Sequence, residues 1–258
     1  MKQITINCKR RFITLLSVVL VSFSLYAGEE FLWEEGNNLY SQGKFQEALD
    51  KYHKIEEEGL ASDMLYFNIA NSYFKLNRYG KAILYYERAL TLNPSDRDIR
   101  HNLSLSNSFI VDNIDTLPEF ILKTWMRDIN YLLSANQWTY LSLFIFALSA
   151  LFMLLFRYGP SQIIRKSSFF MSALSMIVAV IMILFAVNQR KAFVKDNAAV
   201  VMSAVSTIRS SPDNSGNTLF ILHEGTKVIL LERLGSWRRI ELSDGRQGWV
   251  PESDIEVI

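Results

Sequence analysis

The side chains that most often carry out chemistry are few in this chain. It contains three histidines, His53, His101 and His223, and one cysteine, Cys8. No two histidines have the i, i+4 spacing that places two zinc ligands on one helix face. The chain also lacks a phosphate-binding loop, a dinucleotide fingerprint and a nucleophile elbow. We therefore expect no catalytic residue, no metal site and no cofactor.

One acidic run could still suggest a site. Glu56-Glu57-Glu58 precedes Gly59 at the predicted end of a helix, where such runs usually form a solvated face. A serine or carboxylate pair assembled from distant segments would leave no motif, so an enzyme is retained as a third hypothesis.

The charges are distributed unevenly along the chain. Residues 1–27 carry four basic and no acidic residues, residues 28–117 carry nine and fifteen, and residues 118–258 carry fourteen and eleven. None of these segments has the dense basic stripe that phosphate neutralisation requires. Nucleic acid is therefore not an expected partner.

Residues 1–27 have the order of a secretory signal. A basic region ends at Arg11, an apolar run covers Phe12–Tyr26, and Ala27 is a small residue at the expected cleavage point. Cleavage and retention as a short anchor both remain open, and either directs the following chain out of the cytoplasm. Cleavage would also remove Cys8, the only thiol, and with it any disulfide or cysteine-bound metal.

An internal repeat of thirty-four residues follows the signal. Residues of similar size recur at this spacing: Gly36 and Ala70, Leu39 and Tyr73, Phe45 and Tyr79, Ala48 and Ala82, and Tyr52 and Tyr86. Each unit is predicted to be two amphipathic helices that cross closely at the small residues. A pair of unrelated helical hairpins is the alternative.

The repeat resembles the tetratricopeptide repeat at nine positions: Tyr66, Ile69, Ala70, Tyr73, Tyr79, Ala82, Tyr86, Ala89 and Pro94. The resemblance implies an all-α domain over residues 28–117, with two repeats and a capping helix over 98–109. Family members bind peptides in the groove lined by their first helices. The groove positions here are Asn37, Asn68, Asn71 and Asn102. Trp33 and Asp98 stand where a clamp for a C-terminal carboxylate would need lysine, which disfavours that kind of ligand.

Two uncharged runs of spanning length come next. Residues 138–156 and 169–187 each contain nineteen residues without a charge, which as helices would be ~28 Å long. We predict a transmembrane hairpin with a cytoplasmic turn over residues 157–168. A pair of buried helices in a soluble core is the alternative.

The segments that flank the hairpin are shorter. Residues 118–137 are predicted to be an interfacial or linker helix, which contains Trp125, followed by a capping box at Ser134-Ala135-Asn136-Gln137. Residues 188–197 are predicted to be a linker. The basic residues that flank the two runs are balanced, so the exported N-terminus decides the orientation. It places both soluble parts on the periplasmic side of a bacterial inner membrane.

The last segment, residues 198–258, changes to a pattern of short strands. Five strands are predicted, over 198–202, 219–222, 227–233, 238–242 and 248–251. The order of residues is similar to bacterial SH3-like domains: Ile208-Arg209-Ser210-Ser211-Pro212, His223-Glu224-Gly225-Thr226, Gly235-Ser236-Trp237, Asp244-Gly245-Arg246 and Gly248-Trp249-Val250. This resemblance implies a small all-β barrel.

Five residues of the SH3-like domain are candidates for a binding surface. Trp237 and Trp249 are either core residues or a ligand platform. Arg238, Arg239 and Arg246 form a basic edge that could bind an acidic protein surface or the carboxylates of peptidoglycan.

The whole order of segments resembles the BatE-type proteins of the Bat aerotolerance operon. The resemblance implies a multidomain membrane protein with a tetratricopeptide repeat domain, a transmembrane helical hairpin and an SH3-like barrel. It also implies a non-enzymatic scaffold whose partners are von Willebrand factor A-domain proteins and other Bat-type membrane proteins. The alternative is a cell-wall sensor that binds peptidoglycan through the SH3-like domain.

Overall fold

The computed structural model describes residues 30–114, 121–194 and 198–258. It confirms the predicted fold class, because a helical repeat region, two long apolar helices and a small all-β domain follow in that order. The predicted signal segment lies outside the described residues.

Five helices form the repeat region. Helix α1 covers residues 30–41, and it is followed by α2 (Phe45–Glu57), α3 (Asp63–Lys75), α4 (Tyr79–Leu92) and α5 (Arg97–Asn107). The two helical pairs, α1 with α2 and α3 with α4, are the two predicted repeats. Helix α5 packs on α4 as the predicted capping helix.

The turns inside the two repeats have the same backbone geometry. Gly43 and Asn77, thirty-four residues apart, both adopt a left-handed conformation, with φ of 78° and 59°. After each of them, Lys44 and Arg78 donate a backbone N–H to the carbonyl five residues earlier, at 3.0 Å. This is the usual way to end a helix at a residue with positive φ, and it confirms the repeat register.

Small residues do mark the close crossings of the repeat helices. Ala48 and Ala82 are fully buried, and Tyr52 and Tyr86 fill the space beside them. A Cβ atom placed on Gly36 would lie 2.6 Å from the Tyr52 ring. The first helix can therefore approach the second only where a side chain is missing.

The long helices form an antiparallel hairpin. Helix α6 (Ile121–Asn130) precedes it, and α7 (Ala135–Tyr158) packs along α8 (Gln162–Val194). The predicted capping box is confirmed, since Ser134 and Gln137 each bond the other's backbone N–H. Near the middle, the Ser149 and Ser172 hydroxyls each donate to the other residue's carbonyl, at 3.0 and 3.1 Å. Small polar residues of this kind hold apolar helices together.

The helices of the hairpin are longer than the uncharged runs. The structure leaves only residues 159–161 between them, where a turn over 157–168 was predicted, and it extends α8 through most of the predicted linker. Arg157, Arg165 and Lys166 are therefore helical. A charge marks where a chain tends to leave hydrocarbon, whereas a helix ends where its backbone is capped or broken, as at Gly159-Pro160.

Both helices have the length and composition of membrane spans, and most of their surface faces outward. Only 11% of the most apolar window of α7 and 17% of that of α8 is buried inside the protein. Core helices of soluble proteins are mostly covered, so this exposure favours insertion in a membrane.

The β domain has seven antiparallel strands: β1 (Ala198–Val201), β2 (Val205–Arg209), β3 (Thr218–His223), β4 (Lys227–Leu234), β5 (Trp237–Glu241), β6 (Gln247–Pro251) and β7 (Ile255–Val257). Their order in the sheet is β3-β2-β6-β5-β4-β1-β7. The core contains Ala199, Val201, Ile208, Leu222, Val228, Leu230, Ile240, Leu242 and Val250.

Two of these strands were not predicted. Strand β2 contains Ser206 and Thr207, which weaken its apolar signal, and β7 has only three residues. A tight turn at Asp244-Gly245 joins β5 to β6, with a φ of 85° at Gly245. Gly248 allows β6 to approach β2 closely, because a Cβ there would collide with Ile208 of β2.

The repeat packing makes a prediction about Ala82. Ala82→Leu should overpack the crossing of α3 and α4 and lower the stability of the repeat domain by ~1–3 kcal/mol. Amide hydrogen exchange on the full chain in detergent would measure this as faster exchange in α3 and α4. Ala61→Leu is the matched control, because Ala61 is exposed in the loop before α3. Equal exchange in the two variants would contradict the crossing geometry.

Candidate functional site

The four asparagines predicted to line the groove form two hydrogen-bonded pairs. Asn68 Nδ2 donates to Asn37 Oδ1, and Asn102 Nδ2 donates to Asn71 Oδ1, both at 3.0 Å. Asn37 lies on α1, Asn68 and Asn71 on α3, and Asn102 on α5. The second pair is therefore the first pair displaced by one repeat.

A buried tyrosine orients each pair. The hydroxyl of Tyr52 donates to Asn37 Oδ1 at 2.8 Å, and that of Tyr86 donates to Asn71 Oδ1 at 2.6 Å. Burial raises the pKa of Tyr52 to about 12 and also raises the pKa of Tyr86. Both hydroxyls thus stay protonated at physiological pH, so each carboxamide keeps its oxygen toward the tyrosine.

The pairs leave polar groups available to a ligand. Within the described parts of the chain, Oδ1 of Asn68 and of Asn102 accepts no hydrogen bond, and Nδ2 of Asn37 and of Asn71 donates none. Carboxamides can serve as donors and acceptors at once. This row can therefore bind the N–H and C=O groups of an extended peptide backbone.

A pocket of about 250 Å³ opens at the second pair. Its lining is Tyr40, Asn71, Phe74, Lys75, Tyr86, Asn102 and Leu105. An apolar end continues beyond it, where the exposed ring of Phe109 stacks on Tyr79 at 4.6 Å. The pocket thus offers carboxamides for a backbone and an apolar surface for a side chain.

The opposite side of the repeats contains a polar network that the sequence did not predict. Glu56 Oε2 lies 2.8 Å from His53 Nδ1 and accepts from the Tyr85 hydroxyl at 3.0 Å, while His53 Nε2 lies 2.9 Å from the Tyr73 hydroxyl. The prediction of a solvated acidic face is therefore wrong for Glu56, because its helix turns that carboxylate toward a neighbouring aromatic cluster.

The charge of Glu56 is stabilised within this network. Burial acts to raise the pKa of its carboxyl group, but the hydrogen bonds from His53 and Tyr85 and the charge of Arg88 outweigh burial and hold the pKa below its ordinary value. The guanidinium of Arg88 lies 4.9 Å from the centre of the Tyr85 ring. Glu56 is thus an ionised structural group and not a poised proton donor.

Arg88 continues the network into the β domain. It donates to the carbonyl of Val257 at 2.8 Å and lies 3.4 Å from Glu256, which also pairs with Lys81 at 2.6 Å. Glu256 and Val257 belong to β7, whereas Lys81 and Arg88 belong to α4. The last strand of the chain is therefore fixed to the second repeat.

A second polar contact fixes the turn between β3 and β4. The Asp112 carboxylate accepts from the His223 backbone N–H and the Thr226 hydroxyl, both at 2.6 Å, and lies 2.8 Å from His223 Nδ1. Burial acts to raise the pKa of Asp112, but these hydrogen bonds outweigh it and lower the pKa. His223 therefore contacts the repeat region through Asp112, which follows α5.

Apolar packing accompanies these polar contacts. Val200 of β1 is fully buried and belongs to the core cluster of the repeat region, and Met202 and Ile258 pack against the same cluster. Burying one valine stabilises a fold by ~1.5–3 kcal/mol, whereas an exposed ion pair adds ~0–1 kcal/mol. The apolar contacts therefore supply most of the docking energy, and the ion pairs fix its geometry.

Neither tryptophan proposed for the SH3-like surface lies in the buried core. Trp237 and Trp249 are both half-buried, and the core positions beside Trp249 are Gly248 and Val250. Trp249 lies opposite Arg209 on β2 and opposite Arg239 on β5. Strand alternation therefore turns Trp249 to the outer face of the sheet.

The three arginines of the predicted basic edge all have partners. Arg238 lies 3.2 Å from Glu252, Arg246 lies 2.7 Å from Asp244, and Arg239 donates to Gln247 at 2.9 Å. The guanidinium of Arg246 also lies over the Phe220 ring, at 4.8 Å. Arg239 lies opposite Trp249 on the neighbouring strand, whereas Arg238 and Arg246 form ion pairs with nearby acidic residues.

Comparison with known proteins supports the repeat assignment. Residues 64–96, which cover α4 and all of α3 except its first residue, match the family model of the tetratricopeptide repeat. No curated protein matches the chain. The matched segment contains Asn68 and Asn71 of the candidate groove, and repeats of this kind are modules for protein–protein interaction rather than catalysis.

Proposed function

We propose that this protein is a non-enzymatic, membrane-anchored adaptor that binds an extended segment of another envelope protein in its repeat groove. The observation that carries the proposal is the row formed by the two asparagine pairs, whose unpaired carboxamide groups can bond a peptide backbone. The apolar rim at Phe74, Leu105 and Phe109 would take a side chain of the same segment.

The docked β domain supports this choice of surface. It occupies the α4 side of the repeats through Lys81 and Arg88, whereas the asparagine row lies on α1, α3 and α5. The β domain therefore leaves the proposed groove open to another protein.

The groove would lie close to the membrane. The guanidinium of Arg100, on α5, lies 5.7 Å from the ring of Tyr131, just before α7, and α4 also contacts α8. Because α7 leaves from and α8 returns to the same end of the hairpin, both soluble parts share one side of it. A juxtamembrane segment of a neighbouring protein is therefore the best-suited ligand.

We assign that side to the periplasm because of the predicted export signal. In this orientation, among the residues that the structure describes, only the hairpin turn at 159–161 and the adjacent helix ends face the cytoplasm. So small a surface is far below the ~800 Å² per partner of a stable interface. Coupling to a cytoplasmic protein would then pass through another membrane protein.

The order of the segments supports a place in a Bat-type stress-tolerance complex. The partners would be von Willebrand factor A-domain proteins and other Bat-type membrane proteins, with the adaptor holding their juxtamembrane segments. Affinity purification from native membranes, followed by identification of the recovered proteins, would test this assignment.

Binding to peptidoglycan is a second candidate function, supported by one observation. Trp249 lies between Arg209 and Arg239 on the outer face of the sheet, so an aromatic ring and a guanidinium could meet a sugar and a carboxylate. The detergent-solubilised full chain should then sediment with purified cell wall, and Trp249→Ala should abolish this. Failure of the unaltered chain to sediment would remove this candidate.

Removal of the free groove acceptors should weaken partner binding. Asn68→Ala combined with Asn102→Ala removes both unpaired Oδ1 atoms while leaving the acceptors of Tyr52 and Tyr86 in place. We expect a several-fold loss of co-purifying envelope proteins at equal membrane abundance, measured by quantitative mass spectrometry.

The control for that experiment is the double variant Asn214→Ala and Asn217→Ala. Both asparagines are exposed and lie in the loop between β2 and β3 of the β domain. If the control loses partners to the same extent, or the groove variant keeps them all, the groove is not the binding surface.

The topology makes a separate prediction. A reporter that is active only after export should be active when fused after residue 110 and also when fused to the C-terminus. Alkaline phosphatase activity would serve as the readout, with a fusion at the 159–161 turn as the inactive control. A cytoplasmic result at either end would refute the proposed orientation.

A further inference from the structure

Helix α6 has one face that no other described part of the protein covers. The large apolar side chains on this face are 45–69% exposed: Ile121, Trp125, Met126 and Ile129. Ile121, Trp125 and Ile129 are spaced four residues apart, so they share one side of the helix. Arg127 lies on the opposite side and forms an ion pair at 3.8 Å with Asp128, which lies at the edge of the apolar side chains. We call the first side the α6 apolar face.

Buried hydrogen bonds among Asn130, Trp138 and Gln189, which we call the polar staple, fix the end of α6 to the hairpin. The carbonyl of Asn130 accepts from the indole N–H of Trp138 at 2.8 Å and from the side-chain amide of Gln189. The same Gln189 amide donates to the Leu133 carbonyl at 2.9 Å. Asn130, Trp138 and Gln189 are each at least 93% buried, so α6 cannot swing freely.

The Gln189 side chain is oriented so that its amide nitrogen, and not its oxygen, faces the groups at the end of α6. Its Nε2 group faces three oxygen acceptors, two on Asn130 and one on Leu133. Its Oε1 atom, by contrast, is buried without a partner among the described residues. If the amide were flipped, Oε1 would face all three acceptor oxygens and repel them. Leaving Oε1 unpaired is therefore less unfavourable than the flipped orientation.

The polar staple also fixes the level of α6 relative to the uncharged run of α7. Trp138 is the first residue of the uncharged run of α7, and its indole bonds directly to the last residue of α6. If that run starts at the boundary of the hydrocarbon, α6 ends at the same level. Amphipathic helices with a tryptophan on the apolar side and charges on the other are typical of this depth.

We propose that α6 lies in the plane of the bilayer and that the α6 apolar face binds lipid acyl chains at the surface of the membrane the hairpin crosses. The inference rests on the proposed membrane insertion of the hairpin. The continuity of α6 with α7 through Asn130 and Trp138 favours lipid over a second copy or a partner protein. The helix is thus a third attachment point, which sets the tilt of the repeat groove above the membrane.

Quenching by spin-labelled lipids would test the proposal on the full chain, with Cys8 replaced by serine. Ile129→Cys and Arg127→Cys are both exposed and lie on opposite sides of α6, and each would carry the same environment-sensitive fluorophore. The protein is reconstituted in vesicles of phosphatidylethanolamine and phosphatidylglycerol that contain a phospholipid spin-labelled near the headgroup end of its acyl chain. We expect the probe at position 129 to be quenched several-fold more strongly than the probe at position 127.

A third label, at Leu143→Cys on the exposed side of α7, separates the test of membrane insertion by the hairpin from the test of lipid contact by α6. Strong quenching at 143 with equal, weak quenching at 127 and 129 would overturn the lipid contact of α6 alone. Weak quenching at 143 by lipids labelled deep in the acyl chain would overturn membrane insertion itself. A probe at 129 that is shielded from water but not quenched by lipid would mean that protein covers the α6 apolar face, and this also overturns the proposal.

Discussion

The antiparallel packing of α7 on α8 is the constraint on which the rest of the structure depends. It returns the chain to the end of the hairpin from which it departed, so the repeats and the β domain lie on the same side of it. Helix α8 has 33 residues and is ~50 Å long, which exceeds the ~30 Å of a hydrocarbon core. The excess length carries the chain back toward the repeat domain, where β1 packs on α4.

The β domain is better described as part of the repeat domain than as a separate module. Its first strand contributes Val200 to the repeat core, and its last strand is fixed through Glu256 to Lys81 and Arg88. Terminal repeats need a cover for their apolar surface. Here α5 covers one end of the array and the β domain covers the α4 side, and neither covers the asparagine row.

Local patterns made the elements of this fold predictable from the sequence. The thirty-four-residue spacing of Ala48 and Ala82 indicated the helix crossings, and the uncharged runs indicated the hairpin. The equivalence of the four asparagines also follows from the sequence, because their offsets repeat. The sequence shows Tyr52 and Tyr86 only as equivalent large residues, because the hydrogen bond from Tyr52 to Asn37 depends on how two helices face each other.

The interdomain contacts could not be predicted because they join residues far apart in the chain. Arg88 and Glu256 are separated by 168 residues, and no repeat or spacing relates them. The sequence alone places Glu56 in a solvated run, because its role depends on Arg88 and Tyr85, which come from another helix. The bounds of α7 and α8 were missed for a different reason, since charge reports the solvent around a helix and not its hydrogen bonding.

The position of Val200 within the repeat core has a consequence for how the protein is made. Synthesis proceeds from the N-terminus, so the repeats emerge long before β1, and both long helices must be placed between the two events. Until then, the α4 surface that receives Val200 and Met202 is uncovered. If the hairpin inserts in a membrane, as proposed, a chain whose second long helix has not inserted cannot bring β1 to that surface. The apolar surface of α4 then stays exposed, as in other incompletely folded chains.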